Sequence, residues 1–153
     1  MKPQNEVFES GDVAALICVG DEKMHSIVAE QLSSLGYEMQ SGLFREDVTL
    51  RLQTNAYDLL VVEEGFENAG SECSPIVRDC RDLSPEHRRS VFIVLIGRDL
   101  RSANGMQAFQ HSVDLVVATE DLERLASILR RNYEDYQLRY QPFLECAERV
   151  FMS

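Results

Sequence analysis

Positive charge is what this sequence has least of: 15 Lys and Arg stand against 26 Asp and Glu, a formal net charge of -11 over 153 residues. So acidic a chain lacks the basic face with which proteins hold nucleic-acid phosphates or an anionic membrane surface, and neither is expected as a partner. Long apolar runs are also missing. Residues 13–19 and 91–96 form the longest, too short to span a bilayer. Residues 1–12 are polar and acidic, without the basic flank and apolar stretch of a signal peptide, so a flexible amino-terminal segment and a cytoplasmic location are expected. The four cysteines, Cys18, Cys73, Cys80 and Cys146, are scattered, and reduced, partly buried thiols are the expectation. Cys73, Cys80 and His87 recur every seven residues, which is not the close pairing of a structural zinc site, and no metal or cofactor is expected. There is no G-x-S-x-G to support a hydrolase around Ser26, Ser33 or Ser34, no three-glycine dinucleotide fingerprint around Val19-Gly20-Asp21, and no internal repeat.

What is present is a regular alternation. Residues 57–64, Tyr-Asp-Leu-Leu-Val-Val-Glu-Glu, form a short apolar run ending in two acids, the pattern of a strand buried on both faces in the middle of a parallel sheet. Ahead of it, residues 13–19 read as a first strand. A helix follows over 22–35, with Met24, Ile27, Val28, Leu32 and Leu35 at helical spacing and Gly36 as its stop. Residues 37–40 read as a second strand and 44–53 as a second helix, with Phe44, Val48 and Leu52 on one face. Ser74-Pro75 and Ser84-Pro85 are both N-cap-plus-proline starts, the first leading Ile76, Val77, Cys80 and Leu83 inward. A fourth strand over 91–96 ends at Gly97. Residues 102–111 read as a weak helix interrupted by Gly105, and 113–117 as a fifth strand. Strands and helices alternating at these intervals predict right-handed crossovers and a single five-stranded parallel doubly wound sheet.

The segments Leu16 to Glu22, Leu35 to Glu38, Tyr57 to Glu63, Ile93 to Gly97 and Ala108 to Asp114 together resemble the receiver domains of two-component response regulators. The resemblance covers residues 13–132 and implies a flavodoxin-like fold. It also implies a phosphorylation pocket, and here the sequence departs from the family. Where the family carries a phosphoryl-accepting aspartate at the end of the third strand, this chain has Glu63. Where it carries an acidic pair for magnesium, this chain has Gly20 and Asp21. Gly97 replaces the hydroxyl at the end of the fourth strand, and Thr119, or Ala118 with a one-residue slip, replaces the lysine at the end of the fifth. A single carboxylate holds magnesium weakly, and without the lysine a transferring phosphoryl group loses fixed electrostatic stabilisation. The resemblance is to a degenerate, or pseudo-, receiver.

Glu63, Glu64 and Asp21 could instead form an acidic cluster for acid–base work in a small α/β enzyme, although strand alternation turns only one of the two glutamates toward Asp21. Other readings are that Glu63 mimics a phosphorylated aspartate, or is itself an atypical acceptor. Asp58 lies at the wrong end of its strand for that role, and His25 reads as a surface histidine. After the domain, Thr119 reads as the N-cap of a helix with Glu120 and Asp121 in its first turn. Leu122, Leu125, Leu129, Tyr133, Tyr136, Tyr140, Phe143, Ala147 and Val150 continue at three- and four-residue steps, interrupted by Pro142. Residues 133–153 are thus expected to be a helical extension. It either folds back over the domain or, through Leu129, Tyr133, Tyr136, Tyr140 and Phe143, binds a protein partner or a second copy. The expectation is a non-enzymatic signalling or scaffold module.

Overall fold

A computed structural model describes residues 13–68 and 74–132. Five strands form one parallel sheet in the order β2-β1-β3-β4-β5, the flavodoxin-like order. They are β1 (Ala14–Cys18), β2 (Glu38–Ser41), β3 (Leu59–Glu63), β4 (Phe92–Gly97) and β5 (Leu115–Ala118). The helices are α1 (Glu22–Ser34), α2 (Arg45–Thr54), α3 (Pro75–Cys80), α4 (Pro85–Ser90) and α5 (Gly105–His111). A 3-10 segment, Thr119–Arg124, leads into α6 over 125–132.

Alternation along each strand splits the core into two layers. Ala15, Ile17, Leu59, Val61, Val94, Ile96, Leu115 and Val117 face α1 and α6, where Val28, Leu32, Leu122, Leu125 and Leu129 close the layer. Leu16, Cys18, Leu60, Val62, Ile93, Leu95 and Val116 face the other side, closed by Val48, Leu52, Ile76, Val77, Cys80 and Ala108. Strands covered on both faces have no use for polar alternation, which is why β3 and β4 read as continuous apolar runs.

Two aspartates fix the amino edge of the sheet. Asp58 Oδ2 accepts from the Ala14 N–H at 2.9 Å, and Asp114 Oδ2 accepts from the Ile93 N–H at 2.8 Å and from Arg88 at 3.2 Å. Asp58 is therefore a structural bridge at the edge away from the strand ends that could carry chemistry.

Three local expectations are corrected. Phe44 does not share the buried face of α2 with Val48 and Leu52; it is the residue before the helix, 48% exposed. Gly105 does not interrupt a helix begun at Ser102. It is the first residue of α5, because Asn104 caps the helix by accepting from the Gln107 N–H at 2.9 Å. Thr119 caps no α-helix: Ala118 precedes a 3-10 segment without a side-chain cap, and α-helical geometry begins only at residue 125.

Candidate functional site

Parallel strands bring the ends of β1, β3, β4 and β5 to one edge, where ligands of open α/β sheets bind. The register aligns Glu63 with Ile96 and Gly97 with Ala118. Of the two residues proposed for the lysine position, Ala118 is thus the lateral neighbour of Gly97, and the half-exposed Thr119 begins the 3-10 segment.

Asp21 is exposed and acts as the N-cap of α1. Its Oδ1 accepts from the Met24 N–H at 2.9 Å, which satisfies one of the orphan donors of the first turn. Glu63 folds back on its own chain, with Oε1 accepting from the Gly65 N–H at 3.0 Å. Glu64 turns the other way. A Cβ placed on Gly97 would stand 2.3 Å from Glu64 Oε2 and 2.9 Å from its Cδ, so the Glu64 side chain occupies the space at the end of β4. The Glu64 N–H donates to the Ile96 carbonyl at 2.8 Å. Phe66, 6% exposed, sits beside Gly20, with its Cδ2 4.0 Å from where a Cβ there would be.

Asp21, Glu63 and Glu64 thus each have a separate local contact: the first turn of α1, the Gly65 N–H and the end of β4. Among the described residues no group of three or more His, Cys, Asp or Glu is placed to hold a metal ion. The donor set for magnesium is poor: Gly20 offers no side chain, one oxygen of Asp21 is engaged as a cap and one oxygen of Glu63 accepts from Gly65. None of Gly20, Asp21, Glu63, Gly97 and Ala118 supplies a cation for a phosphoryl group.

Two residues have firmer roles than the sequence suggested. His25, half-buried rather than free on the surface, joins α1 to β2 through Nε2 and Ser41 Oγ at 2.8 Å. Ser102 ties the segment after β4 to the end of β5. Its hydroxyl donates to Asp121 Oδ2 at 2.5 Å and accepts from the Ala118 N–H at 2.8 Å. These hydrogen bonds from Ser102, then from Arg124, hold the Asp121 carboxyl below its ordinary pKa.

Of the sevenfold Cys and His spacing, Cys73 lies outside the described residues. Cys80 is a buried free thiol pushed up to about 11, chiefly by desolvation, and Cys18 is raised for the same reason. Burial makes both poor nucleophiles.

Leu129, 1% exposed, belongs to the core beneath α6. It therefore closes the domain instead of opening an interaction seam; Tyr133, Tyr136, Tyr140 and Phe143 lie outside the described residues. A surface the sequence reading missed is the outer side of α5, where Met106 is 67% and Phe109 82% exposed. Their three-residue spacing was a legible signal for a shared face.

The sequence matches no protein-family model, and no curated protein matches it. Solved structures do. A chemotaxis response regulator of Vibrio cholerae is 12% identical, over 79% of this chain and 98% of that one, with a TM-score of 0.58. An orphan response regulator of H. pylori is 14% identical, over 80% and 97%, with a TM-score of 0.59. A yeast trimeric coiled-coil segment fused to another structure is 15% identical, over 92% of each chain, with a TM-score of 0.63. At these identities the likeness is one of fold, and the fold is that of response-regulator receiver domains.

Proposed function

We propose that this chain is a receiver-fold signalling or scaffold module that acts by binding proteins, is not itself phosphorylated, and self-associates through residues 133–153. The observation that carries the reading is the carboxyl edge of the sheet. Its reactive positions hold two glycines, an aspartate used as a helix cap and a glutamate bonded to its own loop. Phosphoryl transfer depends almost wholly on positioning and fixed charge, so positions that supply neither an acidic pair for a metal nor a lysine offer little catalysis. A binding role needs surface instead, and the exposed Met106 and Phe109 on α5 supply apolar contact area. No helix of the described residues is long and apolar enough to cross a membrane, and the acidic net charge of -11 disfavours nucleic acid. The units of the proposal are an amino-terminal segment over 1–12, the domain over 13–132 and the extension over 133–153.

Incubation with acetyl phosphate and magnesium should leave the intact mass unchanged, whereas a stable phosphoryl increment would overturn the reading and favour Glu63 as an atypical acceptor. If Glu63 mimics a phosphorylated aspartate, Glu63→Gln should weaken binding to a partner co-purified with the full chain; equal recovery removes the mimic from the proposal.

A further inference from the structure

At the carboxyl edge one loop approaches both glycines, closely at Gly97 and at ordinary contact distance at Gly20. Gly97 leaves its Cβ space to the Glu64 carboxylate, with Leu100 Cδ1 3.0 Å from the same point, and Gly20 faces the buried ring of Phe66. The loop that delivers them is bonded internally. The Phe66 N–H donates to the Glu63 carbonyl at 2.9 Å, the Asn68 N–H to the Gly65 carbonyl at 3.2 Å, and Asn68 Nδ2 to the Glu64 carbonyl at 3.1 Å. Glu67, in the left-handed region at φ 52°, fastens the loop to α2 by accepting from the Arg45 N–H at 3.2 Å. Glycines at strand ends often mark a close approach of other groups, and here they admit parts of the chain itself.

We propose that residues 63–68 form a built-in plug. Glu64 and Phe66 pack at the carboxyl edge, and Glu64 in particular holds the connection from Gly97 to α5 in one arrangement. That connection is fastened at its far end to β5, through Ser102 Oγ and through the Ala103 N–H donating to the Val116 carbonyl at 2.9 Å. Seated at both ends, it fixes where α5 begins and hence how Met106 and Phe109 are presented. Gly97 is the complement of the plug, while Gly20 meets the Phe66 ring at ordinary contact distance. The plug rests on the reading above in treating this edge as the place a phosphoryl group would otherwise enter.

Amide exchange of residues 98–104 in the full chain tests it. Glu64→Ala should speed their exchange roughly tenfold while amides of β3 and β4 remain slow. Gly97→Ala should do the same, because its methyl group needs the space the carboxylate holds and a glutamate tip is free to rotate away. The double variant should exchange no faster than the faster single one, since both remove a single contact. Glu64→Gln, which keeps the shape without the charge, should stay slow. Unchanged exchange in Glu64→Ala, multiplied effects in the double variant, or fast exchange in Glu64→Gln would each overturn the plug. A phosphoryl increment on the unaltered chain would refute the functional reading while leaving the coupling of Glu64 to Gly97 as measured, so the two failures are distinguishable.

Discussion

Single residues here do their work through small spaces and short bonds. Gly42, in the turn after β2, is buried, and a Cβ on it would lie 2.5 Å from Val48 Cγ2 and 3.0 Å from Cys18 Sγ. Val48 is a stiff β-branched core member that cannot swing clear. Gly42→Ala should therefore destabilise the fold by about 1–3 kcal/mol, as overpacking does, read as a lower denaturant midpoint at unchanged slope. Asp121 offers a titration of the same precision. Its folded pKa is depressed by Ser102 and then Arg124, so its contribution to stability is present above the unfolded carboxyl pKa and is lost as pH falls through the lower folded value. Ser102→Ala removes the larger cause, and the Asp121 pKa followed by NMR should move up toward its ordinary range; an unmoved titration would contradict the bond.

At the scale of elements, what the sequence made legible and what it hid divide by cause. Strands β1, β3, β4 and β5 were readable because burial on both faces leaves nearly continuous apolar runs, whereas the edge strand β2, Glu38–Ser41, is polar and only partly buried; α1 was readable because its apolar spacing ends at Gly36, which takes φ 86°. Phe44, Gly105 and Thr119 misled, since each sits at an element boundary, where the deciding bond belongs to another residue or to none. The strand-end places of Glu63 and Gly97 were legible in the sequence, while the placement of Glu64 and Phe66 was not, because it depends on a loop whose turn at Glu67 has no sharp sequence signal. Asp21 is where the cap and metal readings of one residue part. As a cap, Asp21→Asn should keep stability within about 0.5 kcal/mol and Asp21→Ala should cost about 1 kcal/mol, since asparagine caps as well as aspartate. Equal losses in both variants, measured by chemical denaturation, would mean that the charge matters more than the cap.

For the whole molecule, the decisive question is where the domain ends and the rest of the chain takes over. Leu125 and Leu129 are 0% and 1% exposed in the layer beneath α1 and α6, and Ala126 is tied back to α1, its N–H donating to Gln31 Oε1 at 2.9 Å. Among the described residues, α6 covers this layer of the core. A chain ending at Asn132 keeps every one of these contacts and should unfold in a single cooperative transition. Leu129→Ala within it should cost about 2–5 kcal/mol, as for other buried leucines. If residues 133–153 carry the self-association proposed here, sedimentation should find the full chain forming dimers at micromolar concentration and the shortened chain monomeric. The melting temperature of the full chain should then rise with concentration while that of the shortened chain stays constant, because association stabilises only the folded state. A shortened chain that dimerises as well as the full one would move the interface onto the domain, with the exposed Met106 and Phe109 of α5 the first residues to alter.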